Sequence, residues 1–186
     1  HDEFFNRLKN LPNSKQEVLL YIHGFNNTPE ENIFPSASRL QALFDARLGD
    51  KAPLVVPLIW PCDDDSIIAF ADDYWDDQLA ADQSGVSFAR MLGFFDSWRR
   101  QETAAAAREG RNPCARRINL LAHSMGNRVL RNALKTWVEE LGGGAMPLMF
   151  RNIFMAAPDV INETLEEGQE GEYIPQASRN VVVYFA

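Results

Sequence analysis

Five apolar runs recur along the chain: EVLLYI at 17–22, PLVVPLIW at 53–60, RINLLA at 117–122, NIFMAA at 152–157 and NVVVYFA at 180–186. They are bounded by polar or turn-forming residues, and β-branched side chains are frequent among them. They show little apolar–polar alternation, as expected for strands buried on both faces of a parallel sheet. Between them the apolar spacing changes to that of helices. Ile33, Ala37, Leu40 and Phe44 share one helical face, with Gly49 as a stop; Phe88, Met91, Leu92, Phe95 and Trp98 share another. Met125, Val129, Leu130, Ala133, Leu134, Trp137 and Leu141 define a third, which the glycines at 142–144 end, and the alanines at 104–107 read as the tail of a surface helix. Strands alternating with helices predict right-handed crossovers and an α/β three-layer sandwich, its mostly parallel sheet covered on both faces.

Composition narrows the picture. The 186 residues, 46% of them hydrophobic, suffice for one core, so a single domain over 1–186 is expected. A net charge of −8, from 18 basic and 26 acidic residues, argues against a nucleic-acid surface. No apolar run has the length to span a bilayer, and HDEFFNRLKN lacks the basic-then-apolar layout of a signal peptide. The chain starts at His1 rather than methionine, which suggests it was cut from a longer one and leaves room for a removed signal peptide. Cys62 and Cys114 have neither metal-site nor disulfide-framework spacing, and they point to a reducing, cytoplasmic setting. Phosphate-cradling patterns of the G-x-x-x-x-G-K or G-x-G-x-x-G type follow none of the strands, which disfavours nucleotide binding.

The chemistry concentrates in LLAHSMGNRVL. If RINLLA is a strand and NRVLRNALKTWVEEL a helix, only HSMG connects them. Such compression puts a serine in a strained conformation that exposes its hydroxyl, provided its neighbours are small. Ala122 and Gly126 flank Ser124 on these terms, with Ala122 at a position more often glycine. Ser124 is therefore either a nucleophile or a serine that caps the helix. A second loop, HGFNNTPEEN, follows the strand VLLYI. Acyl transfer needs backbone N–H groups aimed at the developing oxyanion, and the amides of Met125 and Phe25 are the candidates. Gly24 lets the backbone approach, and a helix beginning near Pro29 adds a favourable dipole. His-Gly at a strand end is also, more simply, a turn.

YIHGFNNT, LIWP, LLAHSMGNRVL and NIFMAAPDV together resemble, in order and spacing, a bacterial α/β-hydrolase family long catalogued as a domain of unknown function. The resemblance is strong around 18–28, 117–134 and 152–160 and thin through the acidic middle. It implies an α/β-hydrolase fold with esterase and lipase relatives, and a catalytic order of serine, acid, histidine. No histidine follows Ser124 among the chain's 3. His1 sits at an end, His23 in the oxyanion loop and His123 beside the serine, so none is a well-placed base. Because the resemblance puts the histidine beyond the last strand, the chain is expected to stop before it, with a sheet incomplete at the C-terminus. Asp159, after NIFMAAP at a strand's end, is either the catalytic acid or a loop carboxylate or helix cap.

Residues 62–85, CDDDSIIAFADDYWDDQLAADQSG, lack the alternating ligands of a calcium loop, so metal binding is not expected. They form either a lid over the site or a solvated helical face. The resulting expectation is a serine hydrolase acting on small-molecule carboxylic esters through an acyl-enzyme on Ser124, with no cofactor and no metal. The alternative is a binding or scaffolding domain that keeps the fold without the base. An apolar sheet edge left bare is expected to be covered, a homodimer being one means.

Overall fold

The computed structural model describes residues 2–12, 16–61, 70–114, 116–141 and 144–185; Asp2 and residues 70–77 are described by their backbone alone. Its elements run α1 (Asp2–Lys9), β1 (Glu17–Ile22), a π-helical turn (Pro29–Ile33) leading into α2 (Phe34–Leu48), β2 (Leu54–Leu58), α3 (Phe70–Glu109), β3 (Arg117–His123), α4 (Gly126–Glu139), β4 (Phe150–Ala156), α5 (Tyr173–Ala177) and β5 (Ser178–Tyr184). All five apolar runs form strands, with ends displaced by a few residues. Gly49 closes α2 at φ 53°, a left-handed conformation that suits glycine. Of the stretch read as a lid or a solvated face, residues 62–69 lie outside the described residues, and from Phe70 the chain is already the start of α3. Two short elements, α1 and α5, join the predicted set.

Among the described residues the sheet has five strands in the order β2-β1-β3-β4-β5, every pair parallel. The chain enters at β1, steps outward to β2, then crosses back to β3 on the other side of β1 before continuing to β4 and β5. The direction of winding therefore reverses between β1 and β3. The connections leaving these neighbours diverge, α2 lying on one face and α4 on the other. Open parallel sheets place their ligands at such a point.

One face of the sheet packs Val18, Leu20, Ile22, Ile118, Leu120, Ala122, Ile153 and Met155 against α1, α3 and α4. Helix α4 supplies Val129, Leu130, Ala133, Leu134 and Trp137, all buried, at the spacing of a single helical stripe. Each large aliphatic side chain buried there contributes about 1.5–3 kcal/mol. Helix α3 lies close alongside: a β-carbon on Gly85 would stand 2.7 Å from Asn132 Cβ. Phe5 of α1 stacks on Trp98 of α3 at 5.3 Å, which fastens α1 to this layer.

The opposite face departs from the expectation of full cover. Helix α2 shields β2 and β1, but Phe154 and Val182 are only half-buried and Tyr184 is exposed. Side-chain amides line this face. Asn119 donates to Glu17 (3.0 Å), Asn152 to Asn119 (2.7 Å) and Asn180 to Asn152 (3.0 Å), linking β1, β3, β4 and β5 by a polar ladder. Strand β4 thus alternates between a buried face and a half-polar one, and the valines of β5 are only half-buried, unlike the uniform burial expected of both.

Candidate active site

Three non-glycine residues among those described have positive φ: Asn26 at 51°, Ser124 at 50° and Ala157 at 43°. They follow β1, β3 and β4, so every such conformation lies above the C-terminal ends of neighbouring strands. A side chain in this region costs about 1 kcal/mol or more and persists only where its surroundings hold it.

Ser124 is held on both sides. Its N–H donates to the Ala156 carbonyl at 2.9 Å, at the end of β4. Its own carbonyl accepts three bonds: from the Asn127 N–H (3.0 Å), from the Asn127 side-chain amide (2.9 Å) and from the Asp159 N–H (3.2 Å). The Asn127 amide also reaches the Ala122 carbonyl at 3.2 Å, and the side chain is fully buried. Two carbonyl acceptors at one end of the amide fix its orientation, because only the –NH₂ group can donate to them. Helix α4 opens without a side-chain cap, its N-cap position being Met125, so the capping role considered for Ser124 is not the one it plays.

The loop after β1 lies directly against this turn. A β-carbon on Gly24 would come within 2.9 Å of His123 Nδ1 and 3.0 Å of Ser124 Cβ. One on Gly126 would stand 2.5 Å from the His23 carbonyl oxygen and 2.8 Å from that of Ile22. Neither position has room for a side chain, so the two glycines let the connections of β1 and β3 touch. Ala122 is fully buried beneath them and Met125 lies in the core.

His23 is fully buried and stacked on Trp60, with ring centres 5.0 Å apart and planes 6° from parallel. The Trp60 backbone N–H points at His23 Nε2 over 3.2 Å. An N–H can only donate, so Nε2 accepts and the proton resides on Nδ1, which donates to the Gly24 carbonyl at 2.9 Å. Burial pushes the imidazole below the ordinary histidine pKa, against a smaller opposing effect of the bonds to Gly24 and Trp60. Both ring nitrogens are thereby engaged, and His23 is a neutral structural group rather than a base. His123 is exposed beside the serine, and among the described residues no imidazole hydrogen-bonds the Ser124 hydroxyl.

Asp159 is brought to Ser124 through its backbone N–H, and no helix begins there, which removes the helix-cap reading of its carboxylate. Below it, Arg131 of α4 is buried and paired with Glu170 at 2.6 Å. Burial lowers its pKa, while the negative charges of Glu170, Asp82 and Asp159 favour its cation. Arg128 reaches Asp82 of α3 at 3.2 Å. These ion pairs tie the loop after β4 and the helix after β3 to α3. Among the described residues no three His, Cys, Asp or Glu side chains gather to hold a metal ion, and no helix is long and apolar enough to cross a membrane.

Sequence reasoning named the backbone groups of this site but not the side chains that fix them: Asn27, Asn127, Trp60, and His23 in its structural role. One signal was available, since asparagine stands three residues after Gly24 and again three residues after Ser124. A parallel sheet of this order, with a strained serine between the strand beside the switch point and the following helix, defines an α/β-hydrolase fold. The family model described as "Alpha/beta hydrolase of unknown function (DUF900)" matches residues 2–186, and the chain belongs to that family. No curated protein and no solved structure matches the chain.

Proposed function

We propose that the protein is a serine hydrolase of small-molecule carboxylic esters. The carrying observation is Ser124: a non-glycine residue held at φ 50° by both neighbouring strand ends, with its Cβ against the Gly24 backbone. In this reading the Ser124 hydroxyl attacks the acyl carbon and forms an acyl-enzyme. The amides of Met125 and Phe25 stabilise the tetrahedral oxyanion, as preorganised donors do in acyl transfer. Asp159 serves as the acidic partner. The proton acceptor is an imidazole other than His23, whose two nitrogens are already committed.

Exposure to p-nitrophenyl acetate followed by intact-mass and peptide analysis tests this reading. The expected result is release of p-nitrophenol with an acetyl adduct confined to Ser124. Ser124→Ala should remove the adduct. Acylation spread over surface lysines, and unchanged in Ser124→Ala, would refute it.

A further inference from the structure

The two amides assigned to the oxyanion belong to peptide planes whose carbonyls are both clamped, and by the same device. The described chain has no cis peptide bond, and in a trans peptide the C=O and the following N–H point in opposite directions. Holding the carbonyl of one residue therefore aims the N–H of the next. In the loop after β1, the Gly24 carbonyl accepts from His23 Nδ1 (2.9 Å) and from the Asn27 side-chain amide (3.1 Å), which also donates to the Phe25 carbonyl (2.5 Å), and the N–H on the far side of the Gly24 plane is that of Phe25. In the turn after β3, the Ser124 carbonyl accepts from the Asn127 side-chain amide (2.9 Å) and from the Asn127 and Asp159 N–H groups (3.0 and 3.2 Å). The N–H on the far side of that plane is that of Met125.

We infer that Asn27 and Asn127 are paired positioning residues, each reaching back three residues to a carbonyl and thereby fixing the direction of one oxyanion-binding N–H. His23 is the additional clamp on the first plane. This assignment rests on the proposed role of Ser124, but the clamps are physical and can be tested without it. Two turns on different strands, 100 residues apart in the sequence numbering, meet the same requirement with the same side chain at the same spacing. Amide donors fit the task because they are uncharged and keep their protonation over the whole pH range of acyl transfer.

The test compares the wild-type chain with Asn27→Ala and Asn127→Ser, each labelled with ¹⁵N. Residual dipolar couplings give the Phe25 and Met125 N–H directions, and the second-order rate of fluorophosphonate labelling at Ser124 is followed in parallel. Asn27→Ala should reorient or mobilise the Phe25 N–H and leave that of Met125 in place; Asn127→Ser should do the reverse. Labelling should slow by about tenfold to a hundredfold in each, less than the roughly 10²–10³ lost when an oxyanion donor is deleted. Asn27 is half-buried in a surface loop, so its variant decides the matter if Asn127→Ser fails to fold. Unchanged N–H directions in a folded Asn27→Ala would overturn the inference. Reoriented N–H vectors with no labelling of Ser124 even in the wild type would leave the clamps standing and refute the proposed function instead.

Discussion

The two ends of the sheet are built on opposite terms. At the C-terminal end, Asn26, Ser124 and Ala157 occupy left-handed conformations, and two loops approach so closely that only glycine fits at positions 24 and 126. At the N-terminal end, where β1 and β3 begin, long charged side chains close the fold. Glu102 of α3, almost fully buried, takes Arg111 and, at 3.1 Å, Lys9 of α1. Arg116 donates to the carbonyls of Leu8 (3.3 Å), Leu11 and Pro12 (3.2 Å), satisfying the last turn of α1 and the residues after it. One end spends conformational energy and the other recovers some. The contrast teaches where tolerance to substitution should lie, because strained sites sacrifice stability for a fixed geometry.

The largest effect should come from filling the space at the strained end. Gly126→Val drives a side chain into the His23 and Ile22 carbonyls, and neither backbone can retreat without breaking β1. Urea unfolding should show a loss of about 3 kcal/mol or more, the upper end for overpacking. A variant as stable as the wild type would mean that the two loops do not touch.

Glu102 sharpens the comparison from the other end. Hydrogen bonds from Arg111, then Lys9 and the charges of both, hold its carboxyl down at about 2 from an ordinary 4.5, against the opposing effect of burial. Its folded-state pKa is depressed, so its stabilisation is present above pH 4.5 and fades as the pH falls toward 2. Melting temperatures measured across that window should drop more for the wild type than for Glu102→Gln. Parallel acid profiles would show the cluster to be decorative.

Ser124 makes the opposite prediction about stability. Glycine pays no penalty at positive φ, whereas alanine keeps the β-carbon, so Ser124→Gly should exceed Ser124→Ala in unfolding free energy by about 1 kcal/mol. Equal stabilities would mean the turn relaxes in solution. The smallest effect belongs to His23. Its pKa lies below 6.5 in the fold, so the unfolded chain takes up the proton first and stability declines as the pH falls below 6.5. His23→Asn, which can still donate to the Gly24 carbonyl, should remove that decline, as followed by denaturation midpoints between pH 7 and pH 5.

The strands were legible because a parallel sheet demands continuous apolar runs, and NIFMAA and NVVVYFA stood out although their observed ends are displaced. Helix α1 was not legible. Phe5 shows its purpose only when its ring meets those of Phe95 and Trp98, some ninety residues away in the sequence, and Leu8 only when buried in the same core. Acidic composition likewise hid the fact that residues from Phe70 onward continue into the helix carrying Phe88 and Trp98. At the site, tight spacing around Ser124 foretold a strained backbone, observed as its positive φ, since a four-residue connection leaves few backbone solutions. The tautomer of His23 was out of reach, because it is set by the N–H of Trp60, 37 residues along the chain.

The central proposal is that Ser124 is a nucleophile whose proton acceptor is not His23. Labelling by a fluorophosphonate at neutral pH, with and without added imidazole, tests both parts at once. The account predicts labelling on Ser124 alone, accelerated where added imidazole supplies a proton acceptor, little changed by His23→Asn, which can still donate to the Gly24 carbonyl, and absent in Ser124→Ala. Labelling that imidazole leaves unchanged and His23→Asn abolishes would make His23 the base; no adduct on Ser124 under either condition would contradict the account as a whole.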